Sequence, residues 1–141
     1  MKLRYVGLLT ALSVVVGLLV PVQRMVIEHS KYHRQHQRAQ ELVLSLADRR
    51  PPDVTPEEWE IATGWAANAF GNTCISPSRV SLDELKRFSA ELEIKTAEDV
   101  DIATIDWIWQ RLSDAGPAGK RYYDTFYPEY RKQLLELSEM P

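Results

Sequence analysis

The sequence is poor in the residues from which most catalytic and metal sites are built. Its single cysteine, Cys74, excludes an internal disulfide and any multi-cysteine metal site. Its three histidines, His29, His33 and His36, all lie in the first third of the chain. Residues 51–141 therefore hold no imidazole, the usual base for a thiol or hydroxyl nucleophile. The glycines form no phosphate-cradling loop, and there is no nucleophile elbow and no HExxH. No window of residues 51–141 alternates apolar and polar residues for long enough to make a strand, and no repeat of 20–50 residues is present. These absences exclude the commoner metal and nucleophile chemistries and leave an all-α chain.

What the sequence does have is one long uncharged run. Tyr5 to Gln23 carries no charge and is bounded by Arg4 and Arg24. A helix rises about 1.5 Å per residue and a bilayer core is about 30 Å thick, so this run, with Met25, Val26 and Ile27 beyond one arginine, is long enough to span. The flanking arginines suit headgroups, Tyr5 suits the interface, and Pro21 sits near the end, where a lost backbone bond costs less. A cleaved secretory signal is the competing reading. MKLR resembles a positive n-region, but Val20, Pro21, Val22, Gln23 and Arg24 supply no small-x-small cleavage site. The expectation is a single-pass anchor with ends at Tyr5 and Gln23, lodged in the lipid bilayer. Its orientation is undetermined: Lys2, Arg4 and the terminal amine stand against Arg24, Lys31, Arg34 and Arg38.

Three regions are expected: a membrane anchor over 1–27, a polar and basic stalk helix over 28–50, and a helical head over 51–141. Residues 1–50 hold eight Lys and Arg against three Asp and Glu; residues 51–141 hold nine against seventeen. An acidic head lacks the charge that neutralises phosphates, so no nucleic-acid partner is expected.

Glu28 to Glu41 has almost no apolar residue and no breaker, as a solvated helix would. Leu42, Val43, Leu44 and Leu46 restore apolar character and are expected to dock on the head, before Pro51-Pro52 ends the element. Thr55-Pro56-Glu57-Glu58 reads as a capping box opening a helix, with Gly71 as its stop and a loop of eight residues after it. Ser81-Leu82-Asp83-Glu84 reads as a second box, and Leu82, Leu85, Phe88 and Leu92 form the stripe that follows. Thr96-Ala97-Glu98-Asp99 is expected to open a third helix, whose main face is Ile102, Ile105, Ile108, Trp109 and Leu112. Gly116-Pro117 stops it. The last segment carries Tyr123, Phe126, Tyr127, Tyr130, Leu134 and Leu137 on one stripe, with a kink or break expected at Pro128. The fold expected is a transmembrane helix running into a stalk, then a bundle of four to five short helices.

Four groups invite a functional reading. His29, His33 and His36 share one helix face and are the only metal candidates, weakened by the cations Lys31, Arg34 and Arg38 around them. Met25, His29, Tyr32, His36, Ala39, Val43 and Leu46 fit a heptad seam through which two stalks could weakly self-associate, although histidine makes a poor seam. Cys74 reads as a small buried thiol. The acids Glu98, Asp99, Asp101 and Asp106 read mainly as helix-terminus electrostatics.

Val100, Ala103 and Trp107 lie off the main stripe of their helix and form the expected contact surface for a protein partner, since exposed tryptophan commonly anchors interfaces. The function expected is therefore non-catalytic, with no cofactor: a membrane-anchored module that tethers or recognises another protein. A membrane-attached enzyme using Asp99, Asp101, Asp106, Tyr122 and Tyr123 in one polar cleft is the first alternative. A secreted helical domain released by signal cleavage is the second.

Overall fold

A computed structural model describes the backbone of residues 2–140 and the side chains of residue 17 and of residues 19–140. All of the described secondary structure is helical. The elements are α1 (Lys2–Ser45), a short 3-10 turn (Leu46–Asp48), α2 (Pro56–Thr73), α3 (Leu82–Lys95), α4 (Ile102–Asp114) and α5 (Pro117–Ser138). The chain divides into two compact units, Met1–His33 and Arg34–Pro141. Four short helices, α2 to α5, thus make the bundle expected of the head.

In the first unit, α1 continues without a break past Pro21. Among the described residues no helix is long and apolar enough to cross a membrane. Most of the expected span, Tyr5 to Gln23, lies outside the described side chains.

The second unit starts earlier than the expected head, because the last turns of α1 pack with it. Ala39, Val43 and Leu46 are buried, and His36 lies on Phe70 with ring centroids 5.1 Å apart. Gln35 Nε2 donates to Ser89 Oγ at 2.9 Å, and Arg38 pairs with Glu93 at 2.5 Å. His36, Ala39, Val43 and Leu46 are the carboxyl half of the heptad seam. The spacing read as a self-association stripe is, over this half, a docking stripe spent within the chain.

The core of the unit forms where α2, α4 and α5 meet, with α3 against α4 and the 3-10 turn against α2. Trp59, Phe70, Leu85, Phe88, Leu92, Ile105, Ile108, Trp109, Leu112 and Tyr130 are buried. The capping box at Thr55 is complete: its hydroxyl accepts from the Glu58 N–H while Glu58 Oε2 accepts from the Thr55 N–H at 3.0 Å. Trp59 Nε1 donates to the Leu46 carbonyl at 2.8 Å and ties α2 to the turn before it.

Four local details differ from the sequence reading. Gly71 does not stop α2, which runs on to Thr73 with Cys74 as its C-cap, so the loop begins later in the chain. At Ser81 only half of a box forms, the hydroxyl accepting from the Glu84 N–H. Thr96 ends α3 rather than opening α4. The box that opens α4 is Asp101 with Thr104, where Asp101 Oδ1 accepts from the Thr104 N–H at 2.8 Å and Thr104 Oγ1 accepts from the Asp101 N–H at 3.2 Å. Both Thr96 and Asp101 carry capping oxygens, but Thr96 is spent on α3, its N–H and its hydroxyl both donating to the Leu92 carbonyl. Finally, α5 does not break at Pro128. Pro128 and Asp124 are both exposed, so the carbonyl that proline leaves without a donor faces water.

One glycine is required by packing. A Cβ on Gly119 would stand 1.9 Å from the Leu112 carbonyl oxygen and 3.0 Å from Thr73 Cγ2. The first turn of α5 therefore meets α4 backbone to backbone, which only glycine allows.

Candidate functional site

The largest side-chain assembly is built around Trp109. Its ring stacks with Tyr130 at 5.6 Å and with Tyr122 at 5.8 Å, and meets Tyr123 and Tyr127 edge-on at 6.3 and 5.6 Å. Trp65 of α2 closes a further side at 6.2 Å. The stripe 123-126-127-130 of α5 brings its rings onto one face, and such edge-on and offset pairs are favourable beyond the area they bury. Trp109 Nε1, the Tyr130 hydroxyl and Thr73 Oγ1 are buried without a hydrogen-bond partner among the described residues.

At the edge of this cluster α4 and α5 are joined by charge. Asp106 accepts from Tyr127 at 3.2 Å and from Arg131 at 3.1 Å. Burial, followed by the charge and hydrogen bond of Asp106, pushes Tyr127 up to about 12. Burial, with the Asp106 charge next, raises Tyr130 further, and Arg131 partly opposes it. On the opposite side of α4, Arg111 donates to Glu91 at 2.7 Å and to Glu84 at 3.2 Å, holding α3.

The acids and tyrosines of the enzyme reading do not converge. Asp99 and Asp101 line an open cleft of about 530 Å³ with Arg49, Arg50, Pro51, Pro52, Asp53 and Val100. Arg49 is committed there to the carbonyls of Thr96 at 2.6 Å and Glu98 at 2.5 Å, and Asp101 is the helix cap. Asp106 is tied to Arg131, while Tyr122 and Tyr123 belong to the aromatic cluster.

The expected partner surface is also divided. Ala103 is exposed, but Val100 is buried. Trp107 is half-buried and stacks on Phe88 at 6.1 Å and 11°; Phe88 in turn stacks on Phe70 at 5.6 Å. Lys95 Nζ stands 5.9 Å from the Trp107 ring centre. The off-stripe angle of Trp107 is explained by a second packing partner, α3, rather than by an open face.

Among the described residues no group of three or more His, Cys, Asp or Glu is placed to hold a metal ion, the trio His29, His33 and His36 included. Cys74 is buried, and burial pushes its thiol up to about 12, which suits a packing role.

A further surface lies on the outer face of α2, where Trp65 meets α5. Ile61 and Trp65 line a shallow groove of about 300 Å³ with Glu60, Gly64 and Asn68. Trp65 Nε1 donates to Gln133 Oε1 at 2.9 Å, and its ring lies 6.2 Å from Phe126, which is exposed. The signal for it was the mid-helix glycine, Gly64, which the helical stripe of α2 does not need.

No family model, no curated protein and no solved structure matches this chain.

Proposed function

We propose that the chain is a single-pass membrane-anchored helical module that tethers or recognises another protein near the bilayer and performs no catalysis itself. The observation that carries this reading is the nineteen-residue uncharged run Tyr5 to Gln23, closed by arginines at both ends, joined to an acidic domain with a dense aromatic core. The dispersal of Asp99, Asp101, Asp106, Tyr122 and Tyr123 over a cleft, an ion pair and a ring cluster supports recognition over catalysis. Alkaline carbonate washing of native membranes tests the anchor. Retention of the full-length chain in the pellet is the expected result; release of the intact chain into the supernatant overturns it. Crosslinking followed by mass spectrometry of the same membranes then tests the tether, and a chain that crosslinks only to lipid counts against it.

A further inference from the structure

We infer that the groove of Ile61, Gly64 and Trp65 binds a basic protein segment through an apolar anchor side chain. This rests on the reading of the chain as a recognition module and names the partner chemistry. Three features of the groove carry the inference.

The first is its lining. Ile61 and Trp65 are half-buried, and Phe126 beside Trp65 is exposed, so aliphatic and aromatic surface faces solvent at one place. The Trp65 indole N–H is held by Gln133, which fixes the ring with one face toward the core rings and leaves it preorganised.

The second is Gly64. Glycine inside a helix is destabilising, and it is normally retained where something approaches the backbone closely. A Cβ at Gly64 would meet nothing within 4 Å. Gly71 in the same helix is equally clear, whereas the missing Cβ of Gly119 is filled by α4; what sets Gly64 apart is that its clearance lies beside Ile61 and Trp65. The space at Gly64 suits an entering side chain.

The third feature is charge, and it selects the occupant. α2 carries Glu57, Glu58 and Glu60 and no Lys, Arg or His. Glu58 is consumed in the capping box, whereas Glu57 and Glu60 are exposed, Glu57 four residues before Ile61 and Glu60 four before Gly64, on the groove side of the helix. On α5, Glu129, also exposed, lies one turn from Phe126 and accepts at 3.4 Å from Gln133, the residue that holds Trp65. Three cations of α5 are paired on their own, Lys120 with Asp124, Lys132 with Glu136 and Arg131 with Asp106. An apolar slot rimmed by glutamates complements a segment with Lys or Arg on either side of a Leu- or Met-like anchor; it repels an acidic peptide, an anionic lipid surface or a nucleic acid.

The test uses the full-length chain in nanodiscs of zwitterionic lipid, labelled with ¹⁵N at tryptophan, and three synthetic peptides: Arg/Lys-flanked with a central Leu, the same with the flanks changed to Glu, and the same with Leu changed to Ser. The basic Leu peptide is expected to shift the Trp65 indole resonance saturably while Trp59, sealed against Leu46, stays in place, and to weaken at least tenfold with either partner change. Glu57→Lys with Glu60→Lys should weaken it by a similar factor, and Gly64→Leu should abolish it while preserving the thermal midpoint. Absence of a Trp65 shift, equal binding of all three peptides, or unchanged affinity in the charge-reversed chain overturns the inference. If the peptides fail while the chain in membranes still crosslinks to a protein through another face, this groove is excluded and the tether reading stands.

Discussion

Trp65 and Trp107 are both half-buried aromatic residues on core helices, yet their surroundings are opposite. Trp107 lies between α3 and α4, with Phe88 stacked beneath it and the Lys95 ammonium above. Trp65 lies between α2 and α5, tied to Gln133, next to a glycine and within an acidic rim. At Trp107 the chain supplies both apolar contact and cation from its own helices. At Trp65 it supplies part of the contact and none of the positive charge. Which tryptophan is available to a partner is therefore decided by what the neighbouring helix brings, and helical angle alone does not report it.

The largest effect expected of any single substitution is at Trp109, on which Trp65 packs. Trp109→Ala removes a buried side chain that meets Trp65 and four tyrosines, and should lower stability by about 3–5 kcal/mol. Chemical denaturation of the full-length chain measures this. A loss under about 1 kcal/mol would mean that the ring cluster contributes little and that Trp65 is poorly held.

Trp107→Ala and Trp65→Ala sharpen the contrast. Each ring is half-buried, Trp107 stacked on Phe88 and Trp65 tilted against Phe126, so each truncation should cost about 1–2 kcal/mol. Only Trp65→Ala should remove binding of the basic peptide. If Trp107→Ala removes it instead, the off-stripe surface of Val100, Ala103 and Trp107 returns and the groove loses its assignment.

The two regions also differ in alkali. Tyr127 stands at about 12 in the fold against an ordinary 10, and Tyr130 is shifted in the same direction. A raised folded value favours the neutral phenol, so this stabilisation is complete below pH 10 and is lost as pH climbs from 10 towards 12. Denaturation midpoints should begin to fall near pH 9, where the Cys74 thiol of the unfolded chain ionises, and fall further above 10 as the tyrosines follow. Tyrosinate absorbance should show a late-ionising class, and Asp106→Asn should move Tyr127 back towards its ordinary range by removing a charge and an acceptor. A single ordinary titration of all tyrosines would show that the cluster is open to water.

Much of this architecture could be read from residue patterns. The helical class, the Thr55 capping box and the apolar face of α4 follow from spacing and local hydrogen bonding, which act within a few residues. What could not be read depends on which helices become neighbours. The seam His36, Ala39, Val43 and Leu46 fits a second stalk as well as it fits the chain's own bundle; only the presence of Phe70 and Ser89 nearby decides. Pro128 breaks helices in general, but an exposed position lets water take the orphaned carbonyl. Thr96 and Asp101 compete as caps, and the bonds of Thr96 to the Leu92 carbonyl commit it to the end of α3. The partner surface was placed on Trp107 for the same reason: sequence gives its angle but not Phe88 or Lys95 beside it.

The smallest expected effect is the most discriminating. Gly64→Ala adds a methyl where nothing lies within 4 Å and removes a mid-helix glycine, so it should stabilise the chain by about 0.5–1 kcal/mol, seen as a higher thermal midpoint. Gly119→Ala is its control. The same methyl there would enter the Leu112 carbonyl and must displace α5 from α4, with a marked drop in the midpoint. A glycine whose replacement stabilises the protein is not needed by its own helix, and the space it leaves is open to something outside the chain. If Gly64→Ala instead lowers the midpoint, an internal neighbour does occupy that space. Trp65 would then be as closed as Trp107, and the difference between the two faces would disappear.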